Sequence, residues 1–343
     1  MESVREEFRW FADWAAGTAP LYEVLASRTA TDTQLLRIAD ESPDSQPAPN
    51  LLFAAAHYLL LDDSSHRLAE FYPTCVTDPR SPDREETFEA FRDFIMENES
   101  TVRTLIQSRR VQTNAVGRSA LLFPAFKQLV ENHAEQPVAL VEIGSSAGLN
   151  LYWDKYQYQY NGYGTYGASH SPVQIESDVR GNTVPPFWRS EPEIAQRVGI
   201  DSNPLDVTDS TDAEWLRALV MPDQQWRVDR LDDAISLVRN EQPTIVEGNA
   251  LDVLPEILAD IPKEYDICVF STLVLYQFET EQIASLRRLL NRASQERTVH
   301  WLSDVPTGEQ TPPTYRSVSF DDEITTREIA EYKAHGEWIR WRD

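Results

Sequence analysis

The residues 142-EIGSSAG-148 have the composition of a turn that binds a ligand through its backbone. The apolar segment 138–143 favours a strand, and Gly144 and Gly148 follow it. Glycine permits a sharp turn and removes the side chain where a ligand must approach closely. N–H groups exposed at the start of a following helix favour an anionic or polar group. The alternative interpretation is a tight strand-to-helix connection with nothing bound.

Polar residues also follow the later apolar segments. Asp201 ends the segment 197–201, where its carboxylate can accept hydrogen bonds from two ribose hydroxyls. Asn249 follows 243–248 and offers an uncharged amide oxygen, and Ser271 follows 265–270. Ligands of open α/β sheets lie beyond the carboxyl ends of the strands. These residues therefore predict one ligand-binding edge.

The elements that must position these residues alternate between short apolar strands and longer segments. Strands are predicted at 138–143, 197–201, 243–248, 265–270 and 298–303, and an amphipathic helix at 281–294. This alternation predicts an α/β fold with a mostly parallel sheet covered on both faces. The segments 316–320 and 337–341 are expected to be antiparallel C-terminal strands. The segment 325–334 is compatible with either a helix or a strand.

The first part of the chain differs from this pattern. Residues 1–135 are predicted to form an all-helical N-terminal domain, with the run 51–61, which is apolar on every side, as its central helix. Residues 136–343 form the predicted α/β domain, which carries an aromatic-rich insertion at 151–196. In that insertion, tyrosines at alternate positions from 156 to 160 precede Asn161-Gly162, which predicts a β-hairpin. The insertion is expected to act as a lid or wall for the substrate.

The glycine turn resembles motif I of class I S-adenosylmethionine-dependent methyltransferases. An acidic residue stands two positions before the first glycine, although Ser146 replaces the middle glycine of that pattern. The resemblance implies a Rossmann-like methyltransferase sheet, S-adenosylmethionine as cofactor, and a residue after the third strand that reads the adenine amino group. The cofactor-binding residues it implies are Glu142, Gly144, Ser145, Ser146, Gly148, Asn150, Asp201, Asn203, Asn249, Ala250 and Ser271.

Nearly the whole chain also resembles an uncharacterised bacterial and archaeal family of unknown function with a methyltransferase-like C-terminal half. The stretches that carry this resemblance are 111–122, 141–156, 199–209 and 299–303. The pattern of that family has an acidic residue where this chain has Ala115. The resemblance indicates membership and assigns no reaction.

The substrate is expected to contact polar residues of the segment 112-QTNAVGR-118. Asn114, Arg118 and Tyr276 are the catalytic candidates, and Gln112, Asn114, Arg118, Tyr158 and Tyr276 the substrate-binding ones. Arg118 could bind a carboxylate or phosphate with two parallel hydrogen bonds. The structural alternatives are capping for Asn114, a surface ion pair for Arg118 and hairpin packing for Tyr158. We predict that Asn114, Arg118, Tyr158 and Tyr276 line one pocket with Gly144.

The composition restricts the partners and the surroundings of the protein. The formal net charge is −25 and the sequence pI is about 4.6, with only four lysines among 31 basic residues. Such a surface suits high salt, in which repulsion between carboxylates is screened. It argues against nucleic acid, which needs clustered Lys and Arg. No metal site, membrane span or signal peptide is predicted, so a cytoplasmic protein is expected; the oligomeric state is left open.

Several functions are compatible with this sequence. The first is a methyltransferase that acts on a small molecule or a protein side chain. A second is the same fold used for another displacement or cyclisation, and a third is a non-catalytic protein that binds a nucleoside-containing ligand. An NAD-dependent oxidoreductase ranks last, because the three-glycine fingerprint is missing.

Overall fold

The computed structural model describes residues 1–130, 136–187, 193–305, 312–320 and 324–342. The chain divides into two compact units. The first contains residues 1–113 and 208–231, and the second contains residues 114–207 and 232–343. The division therefore falls before Asn114 and not at the predicted position 135/136, and residues 131–135 lie outside the described part of the chain.

The helices and strands of the described residues are numbered in chain order. The helices are α1 Glu2–Ala15, α2 Pro20–Thr29, α3 Thr33–Ala39, α4 Ala48–Asp62, α5 Glu86–Glu97, α6 Glu99–Ser108, α7 Ser119–Val130, α8 Ser210–Ala218, α9 Gln225–Asn240, α10 Ala250–Asp260 and α11 Thr280–Ala293. The strands are β1 Val138–Ile143, β2 Gln157–Asn161, β3 Gly164–Gly167, β4 Gln174–Val179, β5 Ile194–Asp201, β6 Thr244–Glu247, β7 Asp266–Phe270, β8 Val299–Val305, β9 Thr314–Phe320, β10 Ile324–Tyr332 and β11 Trp338–Trp341.

The first unit is helical, and α4 is its central helix. Side chains on every face of α4 are buried, and the helix packs against α1, α3, α6 and α8. Phe8 and Phe11 of α1 pack against Phe53 of α4, with ring centroids 5.7 and 5.5 Å apart. The run 51–61 thus forms the central helix that the sequence predicts.

His57 is the buried polar residue of α4, and both of its ring nitrogens have partners. Nδ1 lies 3.1 Å from the carbonyl oxygen of Ala218, and Nε2 lies 2.7 Å from Oγ1 of Thr74. Because a carbonyl oxygen can only accept, Nδ1 carries the proton and Nε2 accepts from the Thr74 hydroxyl. Burial lowers the pKa of His57 from its ordinary 6.5 to about 4, so the ring is neutral in the folded protein.

We predict that the first unit loses stability as the pH falls from 6.5 to 4. In this range the imidazole of the unfolded chain binds a proton, whereas folded His57 does not. The difference corresponds to about 3 kcal/mol at pH 4. His57→Gln keeps a donor and an acceptor but cannot titrate, and its pH dependence should be flatter by this amount in urea unfolding. Parallel pH profiles for the two proteins would contradict the prediction.

The second unit contains a sheet of eleven described strands in the order β3-β2-β4-β11-β10-β9-β8-β7-β1-β5-β6. The strands β6, β5, β1, β7 and β8 are parallel to one another. Counted along the chain, these five strands have the order 3-2-1-4-5, which is that of doubly wound sheets. The order reverses between β1 and β7, so the switch point lies between these two strands. The fold is therefore α/β with a large, mostly parallel sheet.

The C-terminal part of the sheet is antiparallel. β9 pairs antiparallel with β8 and with β10, and β11 pairs antiparallel with β10. The five predicted parallel strands and the two predicted C-terminal strands are confirmed. The ambiguous segment 325–334 belongs to the strand β10, half of which is exposed, so the periodicity of its buried residues is weak.

The aromatic insertion contributes β2, β3 and β4 to the sheet. β2 and β3 form the predicted hairpin, and Gly162 in its turn has a φ of 83°. β4 then pairs in parallel with both β2 and β11, which places the hairpin at the end of the sheet farthest from β6. Residues 188–192 of the insertion lie outside the described residues.

The sheet curls around α7. Phe123 of α7 packs on Tyr158 of β2 with ring centroids 4.5 Å apart, and Phe126, one turn later, packs on Phe270 of β7 at 5.2 Å. β2 and β7 are six positions apart in the sheet, which would separate them by about 29 Å if the sheet were flat. Since a single helix contacts both strands, the sheet must bend strongly.

The two faces of the sheet have different chemistry. Ala139, Val141 and Ile143 of β1 point to one face, where they join an apolar core with residues of α10 and α11. Glu142 alternates with these residues and lies level with Phe270, so it points to the face covered by α7. The polar groups near the switch point are buried on this second face.

Candidate functional site

The predicted glycine turn follows β1 and has left-handed backbone at three positions. Gly144 and Gly148 both have a φ of 73°, and Ser146 between them has a φ of 52°. The methyltransferase pattern has glycine at the position of Ser146. Ser146 therefore has a left-handed conformation that suits glycine, which costs about 1–2 kcal/mol for a residue with a side chain.

Two side chains hold the peptide group between Ser145 and Ser146. Nδ2 of Asn114 donates to the carbonyl oxygen of Ser145 at 2.7 Å, and the N–H of Ser146 donates to Oδ2 of Asp201 at 2.7 Å. Asn114 also accepts from the N–H of Leu149 through Oδ1 at 3.0 Å. Asn114 and Asp201 thus fix the turn in its left-handed conformation.

The loop after β7 is held in the same manner. Leu273 has a φ of 53°, and its N–H donates to Oδ2 of Asp304, at the carboxyl end of β8. The carbonyl oxygen of Thr272 accepts from Nη1 of Arg118 at 3.1 Å. Tyr332 donates its hydroxyl to Oδ1 of Asp304, and burial raises the pKa of this carboxyl. The peptide group between Thr272 and Leu273 is therefore held at both ends.

Ser146 and Leu273 are the non-glycine residues with positive φ among the described residues. They lie in the two loops that flank the switch point of the sheet. In each loop, an aspartate at the tip of the neighbouring strand in the sheet accepts from the N–H of the residue with positive φ. A residue of the segment 114–118 donates to the carbonyl oxygen of the residue before it. Backbone strain that is held by several side chains clusters at functional sites.

Glu142 lies buried beneath the glycine turn. Asn150 donates a hydrogen bond to it, and Oδ1 of Asn150 accepts from the hydroxyl of Ser119 at 3.3 Å. Burial raises the pKa of Glu142 well above its ordinary value, although the nearby Arg118 partly opposes this. Among the described residues, Oε2 of Glu142 has no hydrogen-bond partner.

Two serine hydroxyls at the same edge are also buried without a partner in the described part of the chain. Oγ of Ser145 lies in the glycine turn, and Oγ of Ser271 lies directly after β7. A buried polar atom without a partner calls for an explanation, and a hydrogen bond to a bound ligand is one of them. These hydroxyls and Glu142 supply donor and acceptor capacity on both sides of the switch point.

The space next to Gly144 is filled by Val274. A Cβ atom on Gly144 would lie 2.4 Å from Cγ2 of Val274 and 2.9 Å from Cγ1. Gly148 has a similar restriction, since its Cβ would lie 2.9 Å from Pro243. Packing alone therefore requires both glycines, whether or not a ligand binds above them.

Three of the predicted cofactor residues follow the strands β5 and β6. Asn203 is exposed, and its N–H donates to Oδ1 of Asp201 at 2.9 Å. Asn249 is exposed and caps α10, where its side chain accepts from the N–H of Leu251 at 2.9 Å. Ala250 is buried at the start of the same helix. The predicted reading of adenine by Asn249 competes with this capping bond.

The structure brings together only part of the predicted substrate pocket. Asn114 and Arg118 reach the two switch-point loops, but both bind backbone groups there. Arg118 is buried and also donates through Nε to the carbonyl oxygen of Ala334 at 2.9 Å, so it does not form the surface ion pair of the structural alternative. Tyr276 is 71% exposed, and Gln112 belongs to the first compact unit.

Tyr158 does not line a pocket with Gly144, because it is fully buried in the core. Its hydroxyl donates to the carbonyl oxygen of Trp153, and the neighbouring tyrosines act alike. Tyr156 donates to the carbonyl oxygen of Leu149 at 2.5 Å, and Tyr160 to that of Ala120 at 2.8 Å. The tyrosine ladder thus anchors the hairpin, as the packing alternative predicts.

Asp304 and the loop that it holds were missed by the sequence reasoning. Asp304 lies near the end of the apolar segment that follows α11, as Asp201 does at the end of β5. The rule that identified Asp201 from its position at a strand tip applies equally to Asp304. No comparable signal marks Leu273 or Val274, because their role depends on the backbone conformation of the folded loop.

A family model described as an uncharacterized protein conserved in bacteria (DUF2332) matches residues 5–341. The chain belongs to the DUF2332 family. This confirms the predicted membership in an uncharacterised bacterial family that covers nearly the whole chain, and it assigns no activity. No curated protein matches the sequence.

Two further properties of this DUF2332 protein concern the described residues alone. Within them, no helix has the length and apolar character needed to cross a membrane. In the same part of the chain, no three His, Cys, Asp or Glu side chains are grouped so as to hold a metal ion.

Proposed function

We propose that this DUF2332 protein binds S-adenosylmethionine at the carboxyl ends of β1, β5, β6 and β7 and transfers its methyl group to a small molecule or a protein side chain. The observation that carries the proposal is the strained backbone at Ser146 and Leu273, on both sides of the switch point. Ligands of open α/β sheets bind at this point, and strain held by surrounding side chains marks functional sites.

The residues at this edge fit such a cofactor in three respects. The turn 144–148 has positive φ at Gly144, Ser146 and Gly148, as suits a turn whose sequence pattern has glycine at these three positions. Asp201 supplies a carboxylate at the tip of β5, the second parallel strand along the chain, where a ribose is expected. The buried hydroxyls of Ser145 and Ser271 can pair with polar groups of a ligand.

S-adenosylmethionine supplies an activated methyl group, so the protein must mainly position an acceptor in line with it. Asn114 and Arg118 contribute by fixing the two loops between which the cofactor lies. Burial raises the pKa of Glu142 well above its ordinary value, which favours the protonated carboxyl group, and in that form the group can donate a hydrogen bond.

We predict that Asp201→Asn weakens the binding of S-adenosylhomocysteine in calorimetry. The two carboxylate oxygens accept from the N–H groups of Ser146 and Asn203, and their remaining lone pairs face the proposed ribose. The amide keeps one acceptor oxygen but loses the charge and the second acceptor. A hydrogen bond to a charged group contributes about 1.5–3 kcal/mol, which corresponds to a dissociation constant roughly 10- to 150-fold higher. The control is Asp260→Asn, because Asp260 is an exposed aspartate at the C-terminal end of α10.

The outcomes of this experiment separate binding from folding. Circular dichroism should show both variants folded, because each substitution preserves the shape of the side chain. If S-adenosylhomocysteine binds the wild type and Asp201→Asn equally, the ribose site lies elsewhere. If neither S-adenosylmethionine nor S-adenosylhomocysteine binds the wild type, even in molar potassium chloride, the proposed function is wrong.

A second candidate function is binding of a nucleoside-containing ligand without catalysis. The catalytic candidates favour it, since Asn114 and Arg118 are engaged by backbone groups and Tyr276 is exposed to solvent. Tight binding of S-adenosylmethionine without turnover against a panel of acceptors would support this candidate.

A further inference from the structure

The side chain of Val274 lies against Gly144, in the space that a ligand of the glycine turn would approach. Its two γ-carbons would stand 2.4 and 2.9 Å from a Cβ on Gly144. Val274 itself is only partly buried and belongs to the loop after β7, on the other side of the switch point. The side chain therefore covers the first glycine of the turn from the neighbouring loop.

The backbone of Leu273 sets the position of Val274. The peptide group before Leu273 is held by Arg118 at its carbonyl and by Asp304 at its N–H. Leu275, which follows Val274, is fully buried and begins a short 3₁₀ helix. The segment between these two fixed points therefore consists of Leu273 and Val274. Val274 moves by rotation about the backbone of Leu273.

Leu273 also has a conformation that a leucine rarely adopts. Its φ of 53° is left-handed, and any rotation toward the ordinary helical or extended regions relieves this strain. The present arrangement therefore holds Val274 over Gly144 by means of the two hydrogen bonds to the preceding peptide. Displacement of Val274 by a ligand would be partly offset by the relief of strain at Leu273.

We propose that Val274 is the gate of the cofactor site, closed over Gly144 in this structure and displaced by rotation at Leu273 when the ligand binds. The proposal rests on the proposed function, because S-adenosylmethionine or its demethylated product is the occupant of the opened space. With such a gate, the apparent affinity for this ligand depends on the fraction of molecules in which Val274 has moved away from Gly144.

The first test measures the affinity for S-adenosylhomocysteine by calorimetry in the wild type, Val274→Ala and Val246→Ala. Loss of two methyl groups weakens the closed contact, so Val274→Ala should bind roughly three- to tenfold more tightly. Val246, a partly buried valine of β6 beside the same core, is the matched control, and its alanine variant should bind like the wild type.

The second test compares Leu273→Gly with Leu273→Ala in the absence of ligand. Both variants lose the side chain, but only glycine adopts a positive φ without strain. Leu273→Gly should therefore melt at a higher temperature than Leu273→Ala, which reverses the usual order of these residues. It should also bind S-adenosylhomocysteine more weakly than Leu273→Ala, because the closed gate is no longer strained.

Failure of the gate differs from failure of the proposed function. Equal affinities of the wild type and Val274→Ala, with binding present, would overturn the gate and leave the cofactor site in place. A higher melting temperature for Leu273→Ala than for Leu273→Gly would contradict the role of backbone strain at Leu273. Binding by Val274→Ala but not by the wild type would support the gate, whereas no binding by any variant would overturn both proposals.

Discussion

Gly144→Ala is expected to destabilise the second compact unit by about 2–5 kcal/mol, more than most single substitutions do. The new Cβ would lie 2.4 Å from Cγ2 of Val274, on a backbone with a φ of 73°. The first effect is a collision in a packed region, and the second is the left-handed conformation of a residue with a side chain. Urea unfolding measures their sum.

Gly162→Ala separates the two contributions. Gly162 has a similar φ of 83°, but a Cβ there would meet nothing within 4 Å. Its alanine variant should therefore show the backbone cost alone, about 1–2 kcal/mol. The double variant Gly144→Ala/Val274→Ala should approach the same value, because it removes both colliding γ-carbons. Equal losses for Gly144→Ala and Gly162→Ala would show that Val274 yields without cost.

This prediction changes how a glycine variant bears on cofactor binding. From the sequence, a larger residue at Gly144 is expected to abolish binding by filling the space of the cofactor. In the structure, such a residue first collides with Val274, so loss of binding would follow from misfolding as well. The double variant with Val274→Ala is therefore the background in which binding should be measured.

Asp154→Ala is expected to destabilise the second unit by about 3–5 kcal/mol. Arg197 of β5 makes two hydrogen bonds to the carboxylate of Asp154, both 2.7 Å long, and the two side chains are only 7% and 8% exposed. Arg197 also donates to the carbonyl oxygen of Leu151 and stacks over the ring of Tyr152 at 4.6 Å. Removal of the carboxylate would leave a buried guanidinium without its counter-charge.

Two comparisons test whether the cost comes from the unpaired charge. Replacement of both partners, Asp154→Leu with Arg197→Met, should restore most of the stability, since apolar residues of similar size need no counter-charge. Glu296→Ala breaks the exposed pair with Lys263, whose side chains are 75% and 66% exposed, and should cause no measurable change. A double variant as unstable as Asp154→Ala would show that packing, and not charge, sets the cost.

The sequence by itself determined the class of the fold, the five parallel strands, the two C-terminal strands and the hairpin of the insertion, but neither β4 nor β10. The strand Val138–Ile143, which is buried on both faces, is apolar at every position except Glu142, and the Asn161-Gly162 pair specifies a hairpin through its local backbone preferences. The central helix α4 is apolar on every side for the same reason of complete burial. Local patterns of this kind need no knowledge of distant contacts.

The glycine turn and Asp201 were also found from the sequence, because each lies at the tip of a predicted strand. The residues that hydrogen-bond across the loops could not be found in this way. Asp304 and Leu273 meet across 31 positions of the chain, and Arg118 and Thr272 meet across 154. Such pairs are decided by the order of the strands in the sheet, which no local pattern specifies.

The tertiary structure alone decided what Asn114, Arg118 and Tyr158 do. From the sequence, each is a polar or aromatic side chain with free hydrogen-bonding groups, which suits a substrate pocket. The curl of the sheet around α7 buries Tyr158 against Phe123, and the switch-point loops present carbonyl groups to Asn114 and Arg118. A buried carbonyl must find a donor, so the fold uses these side chains to hold its backbone.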